Sequence, residues 1–258
     1  MPVSFTQCPA MNWYIGCSGF HYKHWKGTFY PENLAQSKWF DYYCRFFDTL
    51  ELNVTFYRFP QLSFLQSWYQ KSPAGFHFAV KAPRVITHYK QFSGTADMTS
   101  DFYHTIREGL KEKLGCVLFQ MPPRFSFSPE RLEKIIRSLD NSYPNVLEFR
   151  HPSWWCDDVY NELSARNVSF CGMSHPVLPS EVISNTSLVY YRLHGMEQLY
   201  ASNYEEHQLL ALIEKIRKDI STTDAYIFFN NDINTFAVHN GLLMSRLVGV
   251  ETSEKNPI

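Results

Sequence analysis

Short apolar runs, rich in β-branched and aromatic residues, alternate with helix-like stretches along the chain. The runs are "WYIGCSG" from Trp13, "FFDTLELN" from Phe46, "GFHFAVKAP" from Gly75 and "GCVLFQMPP" from Gly115. They continue with "NVLEFRH" from Asn145, "NVSFCG" from Asn167, "SLVYYRLHG" from Ser187 and "AYIFFNND" from Ala225. Their brevity and side chains favour strand over helix. Between them, "SPERLEKIIRSLD" offers Ser128 as N-cap, Pro129 at the first helical position and an apolar stripe of Leu132, Ile135, Ile136 and Leu139. "SNYEEHQLLALIEKIRKDI" puts Glu205 and Glu206 in its first turn and Arg217 and Lys218 in its last, matching the helix dipole. "TSDFYHTIREGLKEKLG" is expected to start on its Thr/Ser pair and stop at Gly115. In "MSHPVLPSEVISNT" the pattern fails, so the sixth helix is expected to be short or irregular.

Eight strand–helix alternations point to a single parallel (β/α)8 barrel of the TIM type spanning residues 1–258, with its core at about 13–248. The rival is a doubly wound open sheet. That fold usually carries a Gly-rich fingerprint after its first strand, of which "GCSGFHYKHW" shows only G-x-x-G.

Strand parity then locates polar groups. Alternate side chains share a face, so Thr49, Glu51 and Asn53 point one way, as do His77, Ala79 and Lys81. The same holds for Leu118 with Gln120, Val146 with Glu148 and Arg150, Tyr190 with Arg192 and His194, and Phe228 with Asn230 and Asp232. Each face ends polar at the strand's C-terminal end, the mouth where barrels of this kind build active sites. These charges are therefore expected to wall a wet site, although Glu148 with Arg150 would also suit a structural ion pair.

Composition changes the picture little. The chain has 258 residues, is 45% hydrophobic and 17% aromatic, and carries a formal net charge of -1, so it lacks the footprint of a non-specific nucleic-acid binder. No apolar run is long enough for a membrane span and no signal-like leader is evident, so a cytoplasmic protein is expected. Cys8, Cys17, Cys44, Cys116, Cys156 and Cys171 are scattered without a C-x-x-C spacing, which argues against a disulfide framework or zinc ribbon. Cys17 and Cys171 end apolar runs and are the two thiols to check for reactivity.

The motifs "GCSGFHYKHWKGTFYPENL", "ELNVTFYRFP", "HFAVKAPRVITH", "LFQMPPRF", "LEFRHPSWW", "YYRLHG" and "YIFFNND" occur in order from Trp13 to Leu247. Together they resemble domain-of-unknown-function family 72, the YecE-like proteins. The resemblance implies a TIM-type barrel in the cytoplasm and no established reaction. It carries over Glu51, Asn53, Lys81, Gln120, Glu148, Arg150, His151, Arg192, His194, Asn230 and Asp232 as a pocket without assigned chemistry. Cys17 departs from the small residue more usual in "GCSG".

The leading functional expectation is an enzyme acting on a small anionic or carbohydrate-like substrate, with hydrolase, lyase or isomerase chemistry all open. Lys81, Arg150 and Arg192 would bind anionic groups. Glu51 and Glu148 would divide the acid and base roles. Lys81 is more usually a counter-ion, but a Schiff-base role is open on this fold. His194 is a further acid/base candidate; Asn53, Gln120, His151, Asn230, Asn231 and Asp232 would contact substrate. Tyr57, Trp154, Trp155 and Tyr200 follow strands and could stack on a sugar or base, while His24 and His88 rank low as loop residues. No cofactor is expected. A divalent-metal isomerase or phosphoesterase is one alternative, with Glu51, Glu148, His151, His194 and Asp232 as donors, although the interior cations oppose it. A non-catalytic binding barrel is the other. The oligomeric state is left open.

Overall fold

A computed structural model describes residues 11–250. Its strands are β1 (Asn12–Cys17), β2 (Thr49–Leu52), β3 (His77–Lys81), β4 (Leu114–Gln120), β5 (Asn145–Glu148), β6 (Val168–Ser174), β7 (Leu188–Leu193) and β8 (Asp224–Phe229). Every pairing is parallel, in the order β1-β8-β7-β6-β5-β4-β3-β2. The strands form a nearly closed barrel, as the alternation of runs predicts, and the open-sheet rival falls.

Closure occurs at the seam between β1 and β2, where pairing reduces to a single parallel bridge, Ser18 to Glu51. A side chain stands in for the missing ladder. The backbone N–H of Cys17 donates to the Tyr43 hydroxyl at 2.9 Å, and that hydroxyl donates to the Thr49 carbonyl at 2.9 Å. Tyr43 lies on α1 (Trp39–Tyr43) and is fully buried. Gly16 lets the strands approach this closely: a Cβ there would lie 2.4 Å from the Thr49 carbonyl oxygen.

The remaining helices are α2 (Val54–Tyr57), α3 (Leu62–Lys71), α4 (Ala96–Leu110), α5 (Pro129–Arg137), α6 (Asp157–Ala165), α7 (Glu206–Arg217) and α8 (Phe236–Val248). Ser128 caps α5 by accepting from the Arg131 N–H at 3.3 Å, with Pro129 following it as the sequence predicts. Glu205 caps α7 in a reciprocal box with Gln208. The start of α4 differs from expectation. The helix begins at Ala96, so Thr99 and Ser100 lie inside it, and it ends at Leu110 before a 3-10 turn. Thr99 is buried there, so packing outweighs its local preference for a cap. No helix separates β6 from β7.

Parity divides the core in two. Outward-facing strand residues pack against the helices in one large cluster. Ala79, Cys116, Leu118, Val146, Cys171, Tyr190, Tyr226 and Phe228 fill the lumen as a separate one. Tyr14 stacks on Tyr226 at 4.3 Å lower in the lumen, so the interior is a packed column beneath the charged mouth. No helix among the described residues is long and apolar enough to cross a membrane.

Candidate functional site

The charged residues of the mouth meet through Arg192. This β7 residue is 1% exposed and forks between two strands. Its Nη1 donates to Glu148 Oε2 at 2.6 Å, and its Nη2 donates to Glu51 Oε1 at 2.7 Å. Glu51 also accepts from the Tyr190 hydroxyl at 2.6 Å and from Asn53 Nδ2 at 3.0 Å. Glu148 receives Arg150 Nε on its other oxygen. Both carboxylates are wholly buried, which corrects the expectation of a solvent-wetted wall around Glu148. The strand ends do turn polar, but side chains from opposite strands satisfy them before water can.

This pairing sets the protonation states. Burial alone would raise Glu148, but Arg150, then Arg192 and Lys81, outweigh it and hold the carboxyl at about 2. Glu51 likewise stays below its ordinary value: burial opposes ionisation, and Arg192, Lys81 and the Tyr190 hydrogen bond overcome it. The Arg192 guanidinium is desolvated, yet Glu148 and Glu51 raise it well above its ordinary value. The two glutamates therefore do not split into an acid and a base. Both are held as carboxylates.

His194 extends the network. Its Nε2 lies 2.8 Å from Arg150 Nη2, and the Asn230 amide lies 3.0 Å from its Nδ1. Burial, followed by Arg150 and Arg192, pushes the imidazole well below its ordinary value, so the ring is neutral. A guanidinium only donates, so Nε2 accepts and the neutral ring carries its proton on Nδ1; the Asn230 amide, whose Nδ2 faces Nδ1, accepts that proton when it is turned to present its oxygen. The rings of Tyr200 and His194 meet in a T-shaped arrangement with centroids 6.0 Å apart.

Lys81 ends β3 in a different situation. It is 8% exposed, and its Nζ lies 4.2 Å from the centroid of Phe56 on α2. Among the described residues no carboxylate is within ion-pair distance of it. Burial and Arg192 push it down to about 7, against the weaker pull of Glu148 and Glu51. The Phe56 ring also meets His88 edge-on at 5.0 Å. His88 belongs to a π-helical turn, Val85–Tyr89, an uncommon element that favours functional sites. Burial and Lys81 depress His88 to about 4.

Other candidates are placed elsewhere or do different work. Gln120 is half-buried beside Glu148 in the β4–β5 register. His151 accepts through Nδ1 from the Ser153 N–H at 3.2 Å and so caps the turn after β5. Asn231 donates to the Ser202 carbonyl at 2.9 Å and to Asn240 at 2.8 Å, bracing the loop after β8. Asp232 pairs with His24, whose Nε2 also hydrogen-bonds the Asp232 carbonyl at 2.8 Å. These three take their partners outside the Arg192 cluster. Trp154 is core: its ring stacks on Phe149 at 3.9 Å and its Nε1 donates to the Phe125 carbonyl. Trp155 packs on Phe170, while Tyr57 stays exposed on the rim beside Arg84.

Burial raises the thiols of Cys17 and Cys171, the two singled out for checking, so neither is primed as a thiolate. Cys8 lies outside the described residues. The metal alternative loses its donors. Glu51 and Glu148 are committed to guanidiniums, and among the described residues no group of three His, Cys, Asp or Glu side chains is arranged around a common centre.

Sequence reasoning did not select Tyr190, Phe56 or His88 for the site. Tyr190 shares the inward face with Arg192, so parity carried its signal. Phe56 and His88 come from segments after strands, where parity has no hold.

The family described as "Protein of unknown function DUF72" matches residues 14–257. The chain belongs to the DUF72 family. It is 25% identical to UPF0759 protein YunF of Bacillus subtilis, covering 95% of this chain and 97% of that one. It is 24% identical to UPF0759 protein YecE of Escherichia coli K12 over 55% of this chain and 52% of that one. A DUF72 family protein of Thermotoga maritima has a similar crystal structure, with a TM-score of 0.84, 29% identity, and coverage of 92% and 99%. A second DUF72 structure, from Enterococcus faecalis, superposes with a TM-score of 0.80 at 18% identity, covers 95% and 98%, and speaks for the fold alone.

Proposed function

We propose that the C-terminal mouth of the barrel is the active site of an enzyme for a small anionic substrate, with Lys81 as its proton-transfer group. One observation carries this reading: Lys81 is buried at the mouth without a carboxylate contact, while both glutamates are bound to Arg192. A lysine poised near 7 can give or take a proton at neutral pH. A bound anion would complete its charge balance. Glu51 and Glu148 then serve as fixed counter-charges that aim Arg192 and Arg150, in place of the acid and base pair expected from sequence. Asn53 and Asn230 flank the cluster and suit substrate hydroxyls.

Calorimetric titration with inorganic phosphate and with malonate tests this reading. Binding of either anion is expected, and Lys81→Met or Arg150→Met should weaken it about tenfold or more, as loss of a charge-assisted hydrogen bond does. Equal affinity in wild type and both variants would remove the reading.

A second reading, a ligand-binding barrel without chemistry, draws support from the Glu51–Arg192–Glu148–Arg150 network, whose ion pairs all form without a substrate. Anion binding accompanied by no turnover of any bound metabolite would favour it.

A further inference from the structure

Two lysines of this protein are 8% exposed, and their ammonium groups are held differently. Lys113 delivers its ammonium to three acceptors, the carbonyls of Tyr69 and Ser72 at 2.7 Å and the Ser72 hydroxyl at 2.9 Å. Lys81 has no hydrogen-bond acceptor among the described residues; its ammonium lies over the face of Phe56, 4.2 Å from the ring centroid. Lys113 is held by protein acceptors, as a structural lysine is, whereas the Lys81 ammonium keeps contact with solvent and is open to a ligand. A second donor in the same cluster also lacks a partner, the Nε–H of Arg192, which is buried at 1% exposure. The mouth therefore holds an amine without a protein acceptor, within a frame whose other charges are matched.

We infer that Lys81 is a nucleophile that condenses with the carbonyl of a small 2-oxo acid, whose carboxylate is received by Arg150. This deepens the proposed function and rests on the mouth being an anion site.

The chemistry needs no further reagent. The Lys81 ammonium first sheds a proton. Its nitrogen pair forms a bond to the carbonyl carbon, and the C=O π pair moves to oxygen, which takes up a proton. The nitrogen loses a second proton as the hydroxyl, protonated in turn, leaves as water and the C=N bond forms. Ammonium plus ketone thus becomes iminium plus water, with charge and protons conserved. The positive iminium would keep the Phe56 face and gain the field of Glu148 and Glu51, whose carboxylates already act on Lys81. The Schiff-base role left open by the sequence is thereby favoured over that of counter-ion, since a counter-ion requires a contacting carboxylate.

The test is reductive trapping. Full-length protein is incubated with pyruvate or glyoxylate and sodium cyanoborohydride, then digested and mapped by mass spectrometry. The expected result is a reduced adduct on Lys81, with Lys113 unmodified, and no adduct at this position in Lys81→Met or Lys81→Arg. Lys81→Arg preserves the charge should the methionine variant fail to fold. Adducts spread over exposed lysines with Lys81 spared would overturn the inference. Calorimetry with pyruvate on the same samples separates the two levels. Pyruvate binding that depends on Arg150 but gives no adduct removes the iminium and leaves the anion site standing. Absence of both binding and adduct removes both.

Discussion

Arg192 and Glu148 are joined across β7 and β5 by a 2.6 Å hydrogen bond between groups that are both almost wholly shielded from water. Breaking such a contact from one side leaves the other charge stranded. Glu148→Gln keeps the shape but removes the charge facing Arg192 and Arg150, so unfolding stability is expected to fall by about 3–5 kcal/mol. Urea denaturation of the two proteins measures it. A loss below about 1 kcal/mol, the range of a solvent-screened pair, would mean that water reaches Glu148.

Acid should find the same contact. The folded Glu148 carboxyl is depressed from its ordinary 4.5 to about 2. A depressed carboxylate contributes stability that is present above its unfolded value and lost as pH falls through the folded one. The loss is on the order of 3 kcal/mol for this group. Glu148→Gln should therefore show a shallower decline between about pH 4.5 and pH 2 than wild type, measured by chemical denaturation at each pH.

Lys81 has the opposite signature. Its folded value, about 7, lies below the ordinary 10.5, so the unfolded chain binds the extra proton between those limits. Stability contributed through Lys81 rises with pH across that window, by an amount on the order of a few kcal/mol. The stability of wild type relative to Lys81→Met should climb across the same interval. A flat difference would indicate an ammonium with ordinary basicity.

The neutral state of His194 is checked by histidine-resolved NMR. Its imidazole is expected to hold one tautomer, protonated on Nδ1, from about pH 8 down to the onset of acid unfolding, because its depressed pKa follows from burial and from Arg150 and Arg192. Titration near the ordinary 6.5 would mean that the Arg150 contact is absent in solution.

How much of this was legible in the sequence depends on the range of the signal. Strand parity is local, and it placed Glu51, Lys81, Glu148 and Arg192 on inward faces at one end of the barrel. Their pairing is not local. Arg192 is 44 residues from Glu148 and 141 from Glu51, so no spacing announces that one guanidinium closes over both carboxylates. Without that contact the polar strand ends read as wet. The early start of α4 escaped for a related reason: Thr99 resembles a cap in sequence and is buried by packing. His151, Asn231 and Asp232 take partners outside the Arg192 cluster because a residue just beyond a strand no longer obeys its alternation.

The seam between β1 and β2 is held by one phenol. Tyr43→Phe would strip the Cys17 N–H of its acceptor and the Thr49 carbonyl of a donor, at a cost of roughly 1–3 kcal/mol. The more telling consequence concerns the order in which the molecule comes apart. Elsewhere around the ring, opening a strand pair means releasing a ladder; here it takes one hydroxyl and one short bridge. Amide exchange should therefore reach the Cys17 N–H through partial openings well below the global unfolding free energy. Glu51 sits on that bridge. Each such breath would carry one side of the Arg192 fork with it, so the weakest joint of the barrel and the charge balance of its mouth would yield together.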